Sequence, residues 1–421
     1  MPTQPPARRK TTSHRPLTAP RGGKRALVQL GGDTQVTGDP ALAEALASAF
    51  SVEASHRDAT LTHPFHAYPA RLHPEITRRL LGVVAPAPGS TVFDPFCGSG
   101  TVLVEAMAAG HRAVGRDLSP LAVALARVKT AHTSDAERKA IVAQARRIAG
   151  IARDEARSAP LDAVPAGEAR WYRRHTQAEL VTLLRHVGRV PPGVVRDALT
   201  MLISSVLVKV SFQASETDPR RVEKEVGPGL ALRLFAFKAE ELSRGMAAFA
   251  RALGPVRSAR TRADLALDDA GALATVPDAS VDAVVTSPPY ANTYDYVDHH
   301  ARRYAWLGLD AGPMMAKEMG ASRWFAEPAE GTKRFQRELD GFAAALGRVL
   351  KPGGVAALVI ADGAANGQRL AAEVMVASAA RSAGLTEVAR ASQPRKVFDP
   401  DSAAAFREVP KREHVIVVRK R

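Results

Sequence analysis

A single cysteine, Cys97, stands in a chain of 421 residues, which excludes an internal disulfide framework and any cysteine-rich zinc site. Long apolar runs are missing as well. The longest apolar-leaning stretch, residues 198–210, is broken by Ser204, Ser205 and Lys209, and falls short of the roughly 18 apolar residues of a membrane span. Acids are absent from residues 1–25, which carry Arg8, Arg9, Lys10, Arg15, Arg21, Lys24 and Arg25 but no secretory-type apolar core. The chain therefore reads as intracellular, without a membrane partner. Aromatics are scarce, at 5%. What is plentiful is positive charge. Lys and Arg total 58 against 43 acids, a net charge of +15, and such an excess favours a polyanionic partner. With 46% apolar residues there is material for a large core and for two or three domain-sized units.

Residues 1–40, rich in Pro, Gly, Thr and Arg, show no sustained periodicity and read as a disordered basic arm. It is either a phosphate-holding arm or a plain solubilising tail. Residues 41–130 carry a strand, a glycine-rich turn, a helix stopped by Gly110 and a second strand ending in Asp117, with Ser119 capping the next helix. That order is a βαβ unit. Residues 131–255 differ: a capping box at Ser134 and Glu137 opens a helical block, with further helices over 177–186, 194–210 and 231–252. Alternation resumes over 256–421, with a strand at 281–285, a helix at 335–350, a Lys351-Pro352-Gly353-Gly354 turn and a strand at 355–360. A helix at 367–383 and a closing antiparallel pair at 385–391 and 414–418 follow. The expected fold is α/β, one doubly wound sheet interrupted by a mostly helical insertion.

The turn Asp94-Pro95-Phe96-Cys97-Gly98-Ser99-Gly100-Thr101 lies between strand and helix. Gly98 and Gly100 permit a sharp turn and close ligand approach, and the helix start favours negative charge. Asp117, seventeen positions after Gly100, is placed to accept hydrogen bonds from a ribose. The third glycine of the dinucleotide fingerprint is lacking, as is a Walker-type Gly-Lys-Ser/Thr. Downstream, the strand at 281–285 runs into Thr286-Ser287-Pro288-Pro289-Tyr290. Two prolines fix the backbone. The Ser287 side chain and Pro288 carbonyl are then rigid acceptors beside the flat Tyr290, a set suited to a planar ligand with an exocyclic amine.

These two motifs resemble the S-adenosylmethionine-dependent DNA amino-methyltransferases, the N4-cytosine and N6-adenine group, whose sheet is the Rossmann-like class I methyltransferase sheet. Residues 66–74 resemble the element covering the methionine end of the cofactor, residues 351–354 the turn after the post-catalytic helix, and residues 411–418 the last strand. The resemblance covers about residues 61–131 and 258–419 and implies S-adenosylmethionine as cofactor. It implies Tyr68, Asp94, Phe96, Gly98 and Gly100 around that cofactor, Asp117 on the ribose, and Asp264 near the adenine amine, with Asp268 and Asp269 as rivals. Ser287, Pro288, Pro289 and Tyr290 would act on a base flipped out of double-stranded DNA. Serine ahead of Pro-Pro-Tyr leans toward cytosine N4, with adenine N6 and a tRNA guanine amine as alternatives; a non-catalytic DNA-binding protein is the non-enzyme reading. A bacterial-type cytoplasmic location at the nucleoid follows, and a partner restriction enzyme is left open.

Other residues point less sharply. Cys97 sits inside the cofactor turn and no Pro-Cys dipeptide occurs, so a small buried side chain is expected rather than a covalent nucleophile. His63, His66, His73, His299 and His300 complete no ligand set, and no metal is expected. Asn292, Tyr294, Asp295 and Tyr296 suit either a base pocket or a helix start. Trp171 to Arg174 combine aromatic and basic character, and Arg220, Arg221 and Lys224 are candidate phosphate contacts.

Overall fold

The computed structural model describes residues 33–50, 60–85, 87–254, 262–397 and 400–421. Strand β1 (Gln35–Gly38) and helix α1 (Pro40–Phe50) precede α2 (Pro74–Val84). The βαβ unit follows as β2 (Thr91–Asp94), α3 (Thr101–Ala108), β3 (Arg112–Asp117) and α4 (Pro120–Lys129). The insertion comprises α5 (Asp135–Glu155), α6 (Arg174–Gly188), α7 (Val194–Leu207), a hairpin of β4 (Gln213–Ser215) and β5 (Asp218–Arg221), and α8 (Leu230–Leu253). Then come β6 (Asp264–Leu267), β7 (Val281–Thr286), α9 (Tyr296–Leu307), α10 (Gly312–Lys317), α11 (Pro328–Val349) and β8 (Leu350–Ala361). A small hairpin of β9 (Gly363–Ala365) and β10 (Gln368–Leu370), helix α12 (Ala372–Ser382), β11 (Leu385–Pro394) and β12 (Arg412–Lys420) close the chain.

The main sheet has eight strands in the order β1-β11-β12-β8-β7-β2-β3-β6. Strands β6, β3, β2, β7 and β8 run parallel, while β12, β11 and β1 add antiparallel at one side. Chain order reverses between β2 and β7, and in such sheets the ligand crevice lies beyond the strand carboxyl ends at that point. Both motifs of the sequence sit there. The α/β reading holds.

Local signals account for most of the elements. The Ser134 hydroxyl accepts from Glu137 N and the Glu137 carboxylate from Ser134 N, so the capping box forms as the spacing requires. The Ser119 hydroxyl likewise accepts from Ala122 N at 3.2 Å. Helices α5 to α8 bury Ile148, Leu180, Leu202 and Phe235 in a core that also takes in Leu121 and Val128 of α4 and Tyr304 and Trp306 of α9. The insertion shares its core with the sheet domain.

Three expectations require correction. The basic arm read over residues 1–40 includes Gln35–Gly38, which pairs antiparallel with β11; residues 1–32 lie outside the described residues. Such pairing depends on a distant partner near the other end of the chain, which no local pattern encodes. The helix expected at 367–383 starts only at Ala372, because Asn366 and Gly367, both with positive φ, turn β9 back into β10. An Asn-Gly pair favours that tight hairpin. Residues 351–354 do turn, but inside a strand: Val281 pairs with Leu350 and Ala283 with Val355, so four residues loop out of β8.

Gly115 on β3 sits under the cofactor turn. A Cβ there would lie 2.6 Å from a Leu103 methyl and 2.9 Å from a Leu265 methyl. Gly115→Ala is therefore expected to destabilise the fold by about 1–3 kcal/mol through overpacking, read as a lowered urea midpoint at unchanged m-value.

Candidate active site

The turn after β2 is built from its own amides. Gly98 and Gly100 both take positive φ (46° and 80°), which only glycine adopts cheaply. Gly98 N donates to Asp117 Oδ2 at 2.8 Å and Ser119 N to Asp117 Oδ1 at 2.8 Å. One carboxylate thus ties the turn to the end of β3. The two glycines serve different ends. A Cβ on Gly98 would meet the Tyr68 ring at 3.3 Å, whereas one on Gly100 would meet the Ala126 methyl of α4 at 3.0 Å. Gly98 keeps the floor of the site open; Gly100 lets two helices approach and does not line the site.

A cavity of about 430 Å³ opens at the strand ends. Tyr68, Asp94, Phe96, Gly98 and Asp117 line it, and so do Ser287 and Pro289. Segments nearly two hundred positions apart meet there. They are joined directly, since the Thr286 hydroxyl donates to Asp94 Oδ1 at 2.6 Å. Burial pushes the Asp94 carboxyl up to about 7, with the Thr286 bond partly opposing it. Burial likewise raises Asp117 to about 6, against the amide bonds from Ser119 and Gly98. Burial pushes the Cys97 thiol up as well, so it is an inert wall residue rather than a nucleophile.

Several candidate residues lie elsewhere. Asp264 opens β6 at the end away from the cavity, and its carboxylate pairs with the Arg116 guanidinium at 3.1 Å. Asp268 ties its own loop, accepting from Thr275 N at 2.8 Å. Asp269 is the acid that reaches the cavity, where it also holds Lys317 at 3.2 Å. The three acids stand too close in sequence for spacing to rank them. Pro288 packs against Leu339 and Phe342 of α11 on the side away from the cavity. Tyr290 does not line the cavity either. Its hydroxyl donates to Glu413 at 2.8 Å, and its ring packs against the core beneath β7. Tyr296, at the start of α9, lies in the wall along with Tyr68; Met314, Arg334 and Arg337 line it too, and those three carried no motif to flag them.

His66 is buried and bonds Ser204 on α7 at 2.9 Å, while Tyr68 stacks on His300 at 4.9 Å. Among the described residues, the one metal-type cluster is Asp362, Glu373 and His414. The Arg369 guanidinium already bonds both of its carboxylates at 2.7–3.1 Å, so the cluster is an internal ion-pair network. Arg220 is forked onto Asp218 but its side chain is 82% exposed, and Arg221 stacks over Phe212 at 4.7 Å. Lys224 is turned inward onto the Gln213 carbonyl, and its amine is accounted for within the hairpin. No helix among the described residues is long and apolar enough to cross a membrane.

Residues 63–166 match the UPF0020 family, an RMKL-like methyltransferase domain. A stretch of 72 residues is 36% identical to the type II methyltransferase M.MvaI of Kocuria varians, spanning 17% of this chain and 16% of that enzyme. Among solved structures, TrmN from Thermus thermophilus is similar at 13% identity and TM-score 0.32, covering 83% of this chain and 49% of its own. The rRNA methyltransferase aviRa from Streptomyces viridochromogenes is similar at 13% identity and TM-score 0.34, over 88% and 94% of the two chains. A putative DNA modification methylase, also from Thermus thermophilus, is similar at 24% identity and TM-score 0.22, over 36% and 52%. The chain thus spans small or partial lengths of several proteins it matches. The matched methyltransferase domain contains the glycine turn, and the fold is α/β, with that turn at the point where the sheet's chain order reverses. S-adenosylmethionine is the cofactor that a methyltransferase domain of this kind calls for.

The residues fit that group. Two carboxylates raised by burial face a cavity whose floor a Cβ on Gly98 would crowd. A cationic ligand with ribose hydroxyls supplies what they lack. In the free protein both acids are largely protonated below pH 6 and ionise as the pH rises. Cofactor affinity, measured by calorimetry, is therefore expected to strengthen from about pH 5.5 to about 8 and then level off; a flat profile would remove the role given to these acids. The sign reverses for the unliganded fold. Raised carboxyl values contribute stability below about pH 4 that is lost as the pH passes about 6–7. Asp117→Asn is expected to weaken cofactor binding about tenfold or more, in the same calorimetric titration.

Proposed function

We propose that this protein is a DNA methyltransferase that methylates an exocyclic amine, cytosine N4 in first place, on a base flipped out of the duplex. The observation that carries the reading is the single cavity holding both the Gly98–Asp117 cradle and Ser287 with Pro289. S-adenosylmethionine supplies a methyl group on a sulfonium centre, a leaving group good enough to need no acid. What remains for the protein is to position the amine in line with it. The Ser287 hydroxyl accepts from the amine and aims its lone pair. Pro289 and Tyr296 offer apolar surface to the flipped ring, and the proton released on methylation leaves to solvent. The likeness to a type II methyltransferase supports a DNA substrate.

The insertion is the target-recognition region in this reading. Its β4–β5 hairpin leans on α9 through the Gln213 amide and the His299 carbonyl at 3.3 Å. Tyr294 meets the His299 ring edge-on at 5.4 Å, which places the exposed Arg220 and Arg221 on the element next to the catalytic loop. Arginines there serve as phosphate contacts.

Incubation with labelled cofactor and separate duplex DNA and tRNA, followed by mass spectrometry of nucleosides, tests the substrate. N4-methylcytosine in DNA is the expected product. N6-methyladenine would move the base assignment, and label confined to tRNA would end the DNA reading. Ser287→Ala is expected to bind cofactor normally and lose most turnover. Replacing Arg220 and Arg221 together by Glu is expected to weaken DNA binding and flatten its salt dependence by about two ions, measured by fluorescence anisotropy between about 50 and 200 mM salt.

A further inference from the structure

The insertion reaches the cofactor cavity through a buried cation. Arg303 on α9 is wholly buried, and its guanidinium holds three partners. Nε donates to the Ser204 carbonyl of α7 at 3.1 Å, Nη1 bonds His300 Nδ1 at 3.0 Å, and Nη2 donates to Glu216 Oε2 at 2.6 Å. Glu216 lies in the turn between β4 and β5 and is the one acid among the described residues that pairs with this charge. A guanidinium only donates, so His300 Nδ1 must accept and the imidazole proton sits on Nε2. That nitrogen has no hydrogen-bond partner among the described residues. Arg303 alone therefore sets the orientation of the ring by hydrogen bonding.

What that ring touches is a wall of the cavity. It stacks on Tyr68 with the ring centroids 4.9 Å apart and a tilt of 32°, and Tyr68 lines the cavity together with Gly98. The same arginine holds the backbone ahead of Tyr68 by a second route, since the hydroxyl of Ser204 bonds His66 Nε2 at 2.9 Å. A buried guanidinium is tolerable only with its acid in place. Without Glu216 it must swing toward water, and it then releases both His300 and the Ser204 carbonyl. We infer that Glu216 is a positioning residue of the cofactor site, acting through Arg303 and His300 to set the Tyr68 ring. The hairpin of the insertion thereby shapes the pocket for S-adenosylmethionine. This goes beyond the proposed function, because it concerns cofactor binding and holds for any methyl acceptor.

Calorimetric titration with S-adenosylmethionine reads this directly. Glu216→Ala strands the Arg303 charge and is expected to raise the cofactor Kd about fivefold or more. Because the effect passes through Tyr68, adding Glu216→Ala to Tyr68→Ala should change Kd by less than about twofold. A wild-type Kd in Glu216→Ala, or the same loss in both backgrounds, would overturn the inference. Arg303→Met breaks the link without leaving a buried charge, and the same comparison made with it decides the matter if Glu216→Ala does not fold. A second readout needs no ligand. In 3-fluorotyrosine-labelled protein, the ¹⁹F resonance missing from Tyr68→Phe identifies Tyr68, and both Glu216→Ala and Arg303→Met should shift it. An unmoved resonance overturns the inference whatever the affinity. If wild type methylates no DNA at all, the proposed function fails, and these titrations still decide whether Glu216 governs the cofactor site.

Discussion

One buried hydrogen bond, from the Thr286 hydroxyl to Asp94 at 2.6 Å across 192 positions, sets the relation of everything at the strand ends. Asp94 closes β2 and Thr286 closes β7, the two neighbours between which the sheet changes direction. Bonding the last side chains of both strands fixes how far each extends before it turns. The glycine cradle on one side and the Ser-Pro-Pro loop on the other therefore face a common space. The bond also explains the choice of residues. A buried carboxylate without a donor would be costly, and Asp94 receives one from Thr286 and a second from Phe96 N at 3.2 Å. With both donors on Oδ1, the other oxygen is left for a ligand.

What sequence made legible was local or carried by a whole motif. The capping box at Ser134, the cap at Ser119, the glycine turn and the Pro-Pro loop each announce themselves within a few residues. Direction and side were not legible. Nothing in the text of the chain tells whether Tyr290 faces the cavity or the core, because its partner Glu413 lies 123 positions away on β12. Asp264, Asp268 and Asp269 could be separated only once β6 was seen to run with Asp264 at its start and Leu267 beside Asp117. Gly100 looked like a ligand-facing glycine and proves to be a helix-contact glycine, a difference that depends on where Ala126 packs. The Asn366-Gly367 turn was readable, and was hidden by the apolar stretch that follows it.

Several arginines of the described residues are engaged internally. Among the described residues, Arg116, Arg303, Arg369 and Arg395 are structural, each a buried or half-buried cation bonded to an acid. Arg302 stacks on Trp171 at 3.9 Å and pairs with Glu168, so the basic-aromatic segment at 171–174 is partly interior. Arg220 and Arg221 also pair with acids, Asp218 and Glu223, but their side chains stay exposed at the surface.

The insertion is fastened to the segment at residues 61–68 that leads into the cavity at Tyr68. Helix α8 passes so close that a Cβ on Gly245 would lie 2.4 Å from the Leu61 carbonyl oxygen. Lys238 of the same helix reaches the Pro64 carbonyl at 3.4 Å, and Ser204 of α7 holds His66 two residues before Tyr68. A region that looks like a separable cassette in the linear chain is thus mortised into the catalytic body. Because the two parts share one buried core, heat or denaturant is expected to loosen them together rather than along a seam.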